Sequence, residues 1–385
     1  MEQFFTVPSK FDRCATRLFK YLSCIDRDEI SLDSLERVAI HQGMKMDDKR
    51  IHQVIEELHG SIDGRTVLIR EKEEAKQQFF SNFNAKVAII NGREDEGHAK
   101  HSFKGELDKR EIHYEEYWLD GMGFESGKLT GFPLNDDYFF ILLTNPEFLE
   151  HDSAPVYLLK ARLLQTLEQL HRIIPTIDQD LVARSKLHSS LAWHACGIQT
   201  PKTMVTQSIH EALEFIERHH QEGKDVVIKP LAKGGGWAVS KISRGTGTSK
   251  IIDTLGKYKW WYGNGCMLLQ EFIENAGFDT RVLILDDIIL GAERRFPAPE
   301  GESWIYNISK GASGALEWLT PHQVRLARHA SSCTSQFFTG VDMIQDTSGI
   351  DHVLEINSCP GFKGFERHLD MNVAGFIITC LCIFS

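Results

Sequence analysis

The chain has 385 residues, which at about 150 residues per domain predicts two or three domains with sizeable cores. With 42% apolar and 25% charged residues, 11 prolines and 30 glycines, the composition excludes collagen-like, low-complexity and wholly disordered chains. Lys+Arg of 43 against Asp+Glu of 54 gives a net charge of −11. No basic block interrupts it, so nucleic acid is not an expected partner, although a local basic groove for an anionic ligand remains open.

Residues 1–80 read as a helical module. Amphipathic runs lead from Arg27-Asp28-Glu29 up to Gly43 and from Met46-Asp47-Asp48 up to Gly60, with Ile51, Val54, Ile55 and Leu58 at helical spacing. The twice-given pattern of helix, polar loop, hydrophobic residue and helix resembles a degenerate EF-hand pair. Its calcium loops are incomplete: the first offers Ser23, Ile25 and Arg27 where ligands belong, and the second has His59 and Arg70 at its ends. A regulatory or interaction module is the expectation, and removal of 1–80 is expected to leave a soluble core.

From residue 86 to 176 strands alternate with helices, as in a small α/β domain. Lys86–Gly92 and Tyr138–Asn145 read as buried strands, and Tyr157–Leu170 as a helix. Beyond 177 the pattern is mixed α+β. One helix over 208–220 opens with Ser208-x-x-Glu211, and another over 321–337 opens with Thr320-Pro321.

The chemistry-bearing motifs lie in this last segment. Val226-Val227-Ile228-Lys229 is a strand that delivers a lysine beside the loop Gly234-Gly235-Gly236, a pairing suited to phosphate. Gln270-Glu271-Phe272-Ile273 leads to Asp279-Thr280-Arg281, readable as strand, acidic turn and strand, or simply as a hairpin with solvated charges. A further strand ends in Arg294-Arg295. Two more carry Asp342, then Glu355 and Asn357, which would meet if the strands pair antiparallel. Oxygen ligands in this grouping suit Mg²⁺ with phosphates completing its shell. The alternative is a set of structural carboxylates paired with Arg281 or Arg294.

In this order, and joined by Arg184-Ser185-Lys186 upstream and Asn307-x-x-Lys310-Gly311 downstream, these motifs resemble an ATP-grasp ligase of the RimK type. The resemblance implies an α+β, ATP-grasp fold: two α+β lobes, 177–270 and 271–385, gripping ATP and preceded by the 86–176 pre-ATP-grasp domain. It implies that Lys186, Lys229, Gly234, Gly235, Gly236, Gln270, Glu271, Phe272, Ile273 and Asp279 bind the nucleotide. Asp342, Glu355 and Asn357 would hold Mg²⁺, two ions in the first place, with Mn²⁺ as a substitute. Arg281, Arg294, Asn307 and Lys310 would serve catalysis.

The implied reaction joins a carboxylate to an amine through an acyl phosphate, with glutamate or another amino acid as the added group and small-molecule acids as acceptors. The alternatives are a ligase acting on a peptide or protein and a catalytically inactive nucleotide sensor. A homo-oligomer and a protein partner for 1–80 are both open. Three departures stand out: Lys233 and Ala238 replace family glycines, Lys310 replaces an arginine, and the N-terminal module is foreign to the bacterial pattern.

The eight cysteines contain no CxxC pair, and no apolar run reaches the roughly 20 residues needed to span a bilayer. The expectation is a cytoplasmic, membrane-free protein with free thiols. Cys359, beside the metal set, is read as a small buried residue, and Trp260-Trp261-Tyr262 as packing or a substrate channel. The tail Cys382-Ile383-Phe384-Ser385 has the form of a prenylation box. It is expected instead to end a packed helix, with Cys382 buried and unmodified.

Overall fold

The structure is a computed structural model that describes residues 6–45, 47–69, 72–92, 98–134, 136–144, 154–231, 238–262, 265–299, 304–308, 311–369 and 371–384. The N-terminal unit places helix α1 (Arg13–Cys24), strand β1 (Glu29–Ser31), α2 (Leu32–His41), α3 (Lys49–Glu57), β2 (Gly60–Asp63), β3 (Thr66–Ile69) and α4 (Lys72–Ser81) in succession. Asp12, Ser31 and Asp48 cap the first three helices through side-chain oxygens that accept from backbone N–H groups. The expected all-helical unit therefore also holds a three-stranded sheet, ordered β1-β3-β2. Its central strand pairs Ile30 with Val67 across the two halves of the unit.

The turn after α1, where calcium ligands were sought, is lined by carbonyl oxygens and filled by two lysines of α4. Lys72 Nζ donates to the carbonyls of Leu22 (3.3 Å), Ile25 (2.9 Å) and Arg27. Lys76 Nζ donates to Cys24 (3.2 Å) and Ile25 (2.7 Å) and pairs with Asp26. Burial pushes the Lys72 ammonium down to about 7.

A parallel sheet follows, ordered β5-β4-β8-β9, from β4 (Lys86–Asn91), β5 (Tyr114–Trp118), β8 (Tyr138–Thr144) and β9 (Ile173–Ile174). Helices α5 (His98–Lys109) and α6 (Ala154–Glu168) form its crossovers, and the hairpin β6 (Gly123–Glu125) and β7 (Lys128–Thr130) lies between β5 and β8. Parallel neighbours need such connections, which is why strand and helix alternate here. Helices α7 (Ile177–Arg184) and α8 (Lys186–Ala195) lead onward.

The next lobe is an antiparallel sheet, ordered β10-β13-β11-β12, made of β10 (Thr203–Thr206), β11 (Val226–Lys229), β12 (Ser240–Ile242) and β13 (Met267–Glu271). It is backed by α9 (Ile209–Gln221) and α10 (Thr248–Lys257). The last lobe is ordered β16-β15-β14-β17-β18, from β14 (Asp279–Leu285), β15 (Ile288–Phe296), β16 (Ser313–Leu316), β17 (Phe338–Gln345) and β18 (Asp351–Asn357). Helices α11 (Pro321–Cys333), α12 (Lys363–Leu369) and α13 (Val373–Phe384) accompany it.

Several expectations need correction. Strands β13 and β14 do not form a hairpin: they belong to different sheets, and residues 272–278 cross between the lobes. Ala183, Trp193 and Ile198 share a core with Val282 and Val341, so residues 183–198 pack with the second lobe rather than the first, while Ile177 packs in the core of the parallel sheet. Helix α11 stops at Cys333, where Ser335 turns into the left-handed region (φ 53°) ahead of β17. Ser208 caps α9, but the Glu211 carboxylate accepts from the Thr206 hydroxyl instead of reaching back to the Ser208 N–H as a capping box would.

The N-terminal unit shares its core with the rest of the chain. Phe19, Leu22, Leu35, Val54 and Phe80 lie in one continuous core with Leu283, Leu285, Phe338, Phe376 and Leu381. Polar ties seal the contact: Gln42 Nε2 donates to Ile289 O (2.8 Å), and Arg110 and Asn372 both reach Asp26. Helix α13 is buried along its length as expected. Burial pushes the Cys382 thiol up to about 12.

The expectation of free thiols fails at one pair. Cys196 and Cys333, separated by 137 residues in sequence, form a disulfide.

Candidate active site

Strand alternation carries the site. In β11, Val226 and Ile228 enter the lobe core while Val227 and Lys229 face the space between the lobes. Gln270 of β13 lies opposite Val227 and faces the same way. It accepts from Lys229 Nζ (2.7 Å) and donates to Thr203 Oγ1 (3.0 Å). Burial pushes the Lys229 ammonium down to about 8, against the opposing pull of Glu355.

In the second lobe, residues directly opposite across antiparallel strands share a face. Asp279 faces Arg295, Arg281 faces both Glu293 and Asp342, and Asp342 faces Glu355. Arg281 forks onto Asp342 with Nε–Oδ1 of 2.6 Å and Nη2–Oδ2 of 2.7 Å. Arg295 joins Asp279 to Asp342, with Nε–Oδ1 of 2.8 Å to the first and Nη2–Oδ2 of 3.0 Å to the second. Burial works against the Asp342 charge, but the two guanidiniums outweigh it and hold its carboxyl below the usual range. Asp279 has the weaker support, and burial pushes it up to about 6.

Between these faces lies an open cleft, whose roughly 850 Å³ of empty space includes solvent at its mouth. Lys186, Lys229, Gln270, Glu271, Phe272, Ile273, Asp279, Asn307, Asp342 and Glu355 all line it. Lys186 Nζ stands 3.5 Å from Glu355. The cleft also takes residues that the motif reading missed, Arg295, Trp304 and Tyr306 among them. Tyr306 donates to Asn275 Oδ1 (2.9 Å), and Trp304 meets Phe272 edge-on with centroids 6.0 Å apart. They belong to an irregular loop, where no periodicity marks them.

Arg294 is misplaced by the motif reading. It pairs across from Thr280 on the opposite face of the sheet, binds Glu317 and lies over the Phe278 ring at 4.0 Å. In a two-residue Arg-Arg run only one side chain can face the cleft, and the register gives that place to Arg295. Arg281 stands behind Asp342 rather than in the lining. Gly234, Gly235, Gly236 and Lys310 lie outside the described residues. Ala238, at a position where glycine was expected, takes a left-handed φ of 47°, and the Tyr258 hydroxyl donates to its carbonyl.

The donors fit a hard cation. Glu355 and Asn357 project from one face of β18, beside Asp342. The Asn357 amide nitrogen is buried without a hydrogen-bond partner among the described residues, so its amide is not fixed by other side chains. Carboxylate and amide oxygens are the ligands that Mg²⁺ takes. Cys359 does not line the cleft and is half-buried, with its thiol 3.9 Å from Leu143 O. Trp260 and Trp261, 70% and 80% exposed, neither pack inside nor line the cleft.

Two sheeted lobes with a lysine-bearing cleft between them are the architecture of ATP-grasp enzymes, and solved structures agree. The ATP-grasp ligase PsnB, complexed with a minimal precursor, superposes with a TM-score of 0.59 at 15% identity, over 78% of this chain and 100% of that one. D-alanine–D-alanine ligase from Bacillus anthracis gives 0.56 at 17%, over 78% and 96%. These likenesses show the fold.

Residues 182–381 match the model of the RimK-like ATP-grasp domain, and the chain belongs to that family. Tetrahydromethanopterin:alpha-L-glutamate ligase of Methanocaldococcus jannaschii is 30% identical over 214 residues, 54% of this chain and 70% of the relative. Its namesake in Methanosarcina acetivorans is 28% identical over 223 residues, 52% and 66% of the two chains. The protein is thus an ATP-dependent, ADP-forming ligase of carbon–nitrogen bonds. Enzymes of this class use ATP with Mg²⁺. Among the described residues no helix is long and apolar enough to cross a membrane.

Proposed function

We propose that the enzyme, acting in the cytoplasm, adds an amino acid, glutamate in the first place, to the carboxylate of a small acidic acceptor. The observation that carries this reading is the convergence of Lys186, Lys229, the 270–273 segment and the Asp342–Glu355 pair on one cleft. The family relatives named as glutamate ligases supply the choice of amino acid.

ATP lies with its base against 270–273. The N–H groups of Glu271 and Phe272 already donate to Lys202 O and Asp225 O, so the base reads Ile273 rather than those two groups. Lys186 and Lys229 meet the phosphates together with the Gly234-Gly235-Gly236 loop, and Asp279 lies near the ribose. Asp342, Glu355 and Asn357 would hold Mg²⁺, two ions in the first place. The metal supplies charge neutralisation on the phosphates.

The acceptor carboxylate takes the γ-phosphoryl group to give an acyl phosphate, and the amine then displaces phosphate to leave the amide. Arg295 takes the role first assigned to Arg294. Arg281 positions Asp342, while Asn307 and Lys310 orient the acceptor. The protein offers position and charge rather than a nucleophile.

The test is ADP release and product mass with Mg²⁺-ATP, glutamate and a panel of small acids. ADP formation that needs both an acid and glutamate supports the reading. Nucleotide binding without turnover on any acid–amine pair would sink it in favour of a sensor. Turnover confined to peptide acceptors would move the substrate class.

A further inference from the structure

Three metal-competent side chains converge outside the cleft, at the far end of α8 from Lys186. Cys196 caps the C-terminus of α8, and Cys333 is the last residue of α11. His329 precedes Cys333 by four positions, so the two share a face of α11. The ligand atoms of Cys196, His329 and Cys333 all lie within 4.8 Å of one another. The Cys196 and Cys333 Cα atoms are 6.6 Å apart.

The apposition of these helices does not depend on the disulfide. The indole of Trp193, only 2% exposed, donates from Nε1 to Ala330 O at 3.0 Å. Trp193 also packs in one core with Ala327 and Ala330. The Trp193–Ala330 hydrogen bond falls within one helical turn of each cysteine, so the two thiols stay opposed after reduction.

We propose that this cluster is a redox-gated site for a borderline-soft divalent cation, zinc in the first place. The disulfide is its closed state. Two equivalents of a thiol reductant convert the disulfide to two cysteine thiols and are themselves joined as a disulfide. The cation then displaces one proton from each thiol and is held by two thiolates and one nitrogen of neutral His329.

The geometry suits such an ion. Zinc bonds of about 2.3 Å to sulfur and about 2.0–2.1 Å to nitrogen place tetrahedral donors about 3.6–3.8 Å apart, inside the observed convergence. Cys196 and His329 are exposed, so the fourth position opens to water. Mg²⁺ prefers oxygen ligands and does not compete for this site. A chain search for paired cysteines misses the cluster because its ligands come from two helices far apart in sequence.

The test uses the full chain, reduced with a phosphine, desalted without oxygen and titrated with Co²⁺ and then Zn²⁺. Reduced wild type is expected to bind one ion, with thiolate-to-cobalt absorption in the near ultraviolet and the intense visible bands of tetrahedral cobalt, both bleached by Zn²⁺. Cys196→Ser is expected to abolish these bands. His329→Ala is expected to weaken binding at least about tenfold while still forming the disulfide on oxidation, which separates metal binding from cysteine pairing. Oxidised wild type is expected to show neither set of bands, since cobalt held by the Asp342–Glu355 oxygens gives no thiolate absorption. Absence of saturable binding by the reduced protein, equal bands from the oxidised protein, or unchanged affinity in His329→Ala would each overturn the proposal and leave a structural disulfide alone.

Discussion

Glu355 and Asp342 face each other on neighbouring strands, yet their surroundings differ, and substitutions there separate chemistry from stability. Asp342 is engaged by Arg281 and Arg295. Asp342→Asn therefore disturbs buried ion pairs as well as any bound cation. Glu355 is partly exposed and meets Lys186 at 3.5 Å, a contact of small worth to folding. Glu355→Gln is expected to lower turnover roughly hundredfold or more while the melting temperature stays close to wild type. Near-normal turnover at ordinary Mg²⁺ would remove Glu355 from the metal set. Lys229 gives a pH signature at the same scale. Its ammonium is charged below about 8 and neutral above it, so the free enzyme loses phosphate affinity as pH rises. Between pH 7 and pH 9, kcat/KM for ATP is expected to fall by up to about tenfold, following the charged fraction. Lys229→Arg should flatten that limb, because a guanidinium stays charged. A flat wild-type profile over this range would mean that Lys229 does not meet the phosphates as a cation.

At the scale of elements, the β14–β15 pair shows what a linear reading can and cannot give. The two-residue spacing of Asp279 and Arg281 puts them on one face of a strand, and the register agrees. The choice between Arg294 and Arg295 depends on the register of β15 against β14, which a single strand does not encode. Likewise β13 and β14 read as strands from their apolar runs, but nothing local says that 272–278 joins different sheets. The cleft's aromatic wall, Trp304 and Tyr306, is set by a loop and was not legible at all. The register makes a prediction. Arg295 is 2% exposed and serves two buried carboxylates, so Arg295→Met is expected to cost about 3–5 kcal/mol, the penalty for stranding a buried charge. Arg294 is 38% exposed at its side chain, while its partner Glu317 is only 11% exposed. Arg294→Met should cost less than Arg295→Met, about 1–3 kcal/mol for one buried acceptor left without its partner. Urea denaturation of both variants checks the order, and a larger loss for Arg294→Met would refute the face assignment.

The whole molecule closes around its two ends, a relation that sequence periodicity could not convey because amphipathic helices do not name their partners. Helices α2 and α3 were legible from spacing, and α13 from its apolar run. What stayed hidden is that Phe19, Leu22 and Leu35 pack in the same core as Leu283, Phe338 and Phe376. The rings of Tyr21 and Phe376 meet at 5.5 Å. Asp26 accepts from Arg110 (3.1 Å) and from Asn372 (2.8 Å), joining the N-terminal unit, α5 and the segment before α13 in one polar cluster. Deleting residues 1–80 would uncover the apolar faces of α13 and of the β14–β15 turn and leave Arg110 without Asp26. Burial of even one large aromatic side chain contributes about 3–5 kcal/mol when judged by its truncation to alanine, comparable with much of a domain's net stability of about 5–15 kcal/mol. The truncated chain is therefore expected to be insoluble or to bind ANS with a lost cooperative melt. Because an insoluble fragment gives no measurement of the ligase, Phe19→Ala in the full chain is the companion. It should lower stability by about 3–5 kcal/mol in urea while leaving KM for ATP unchanged below the transition, since Phe19 does not line the cleft. A soluble, fully active 81–385 fragment with a wild-type melting temperature would show that the shared core contributes nothing to the ligase, and that the N-terminal unit is an appendage after all.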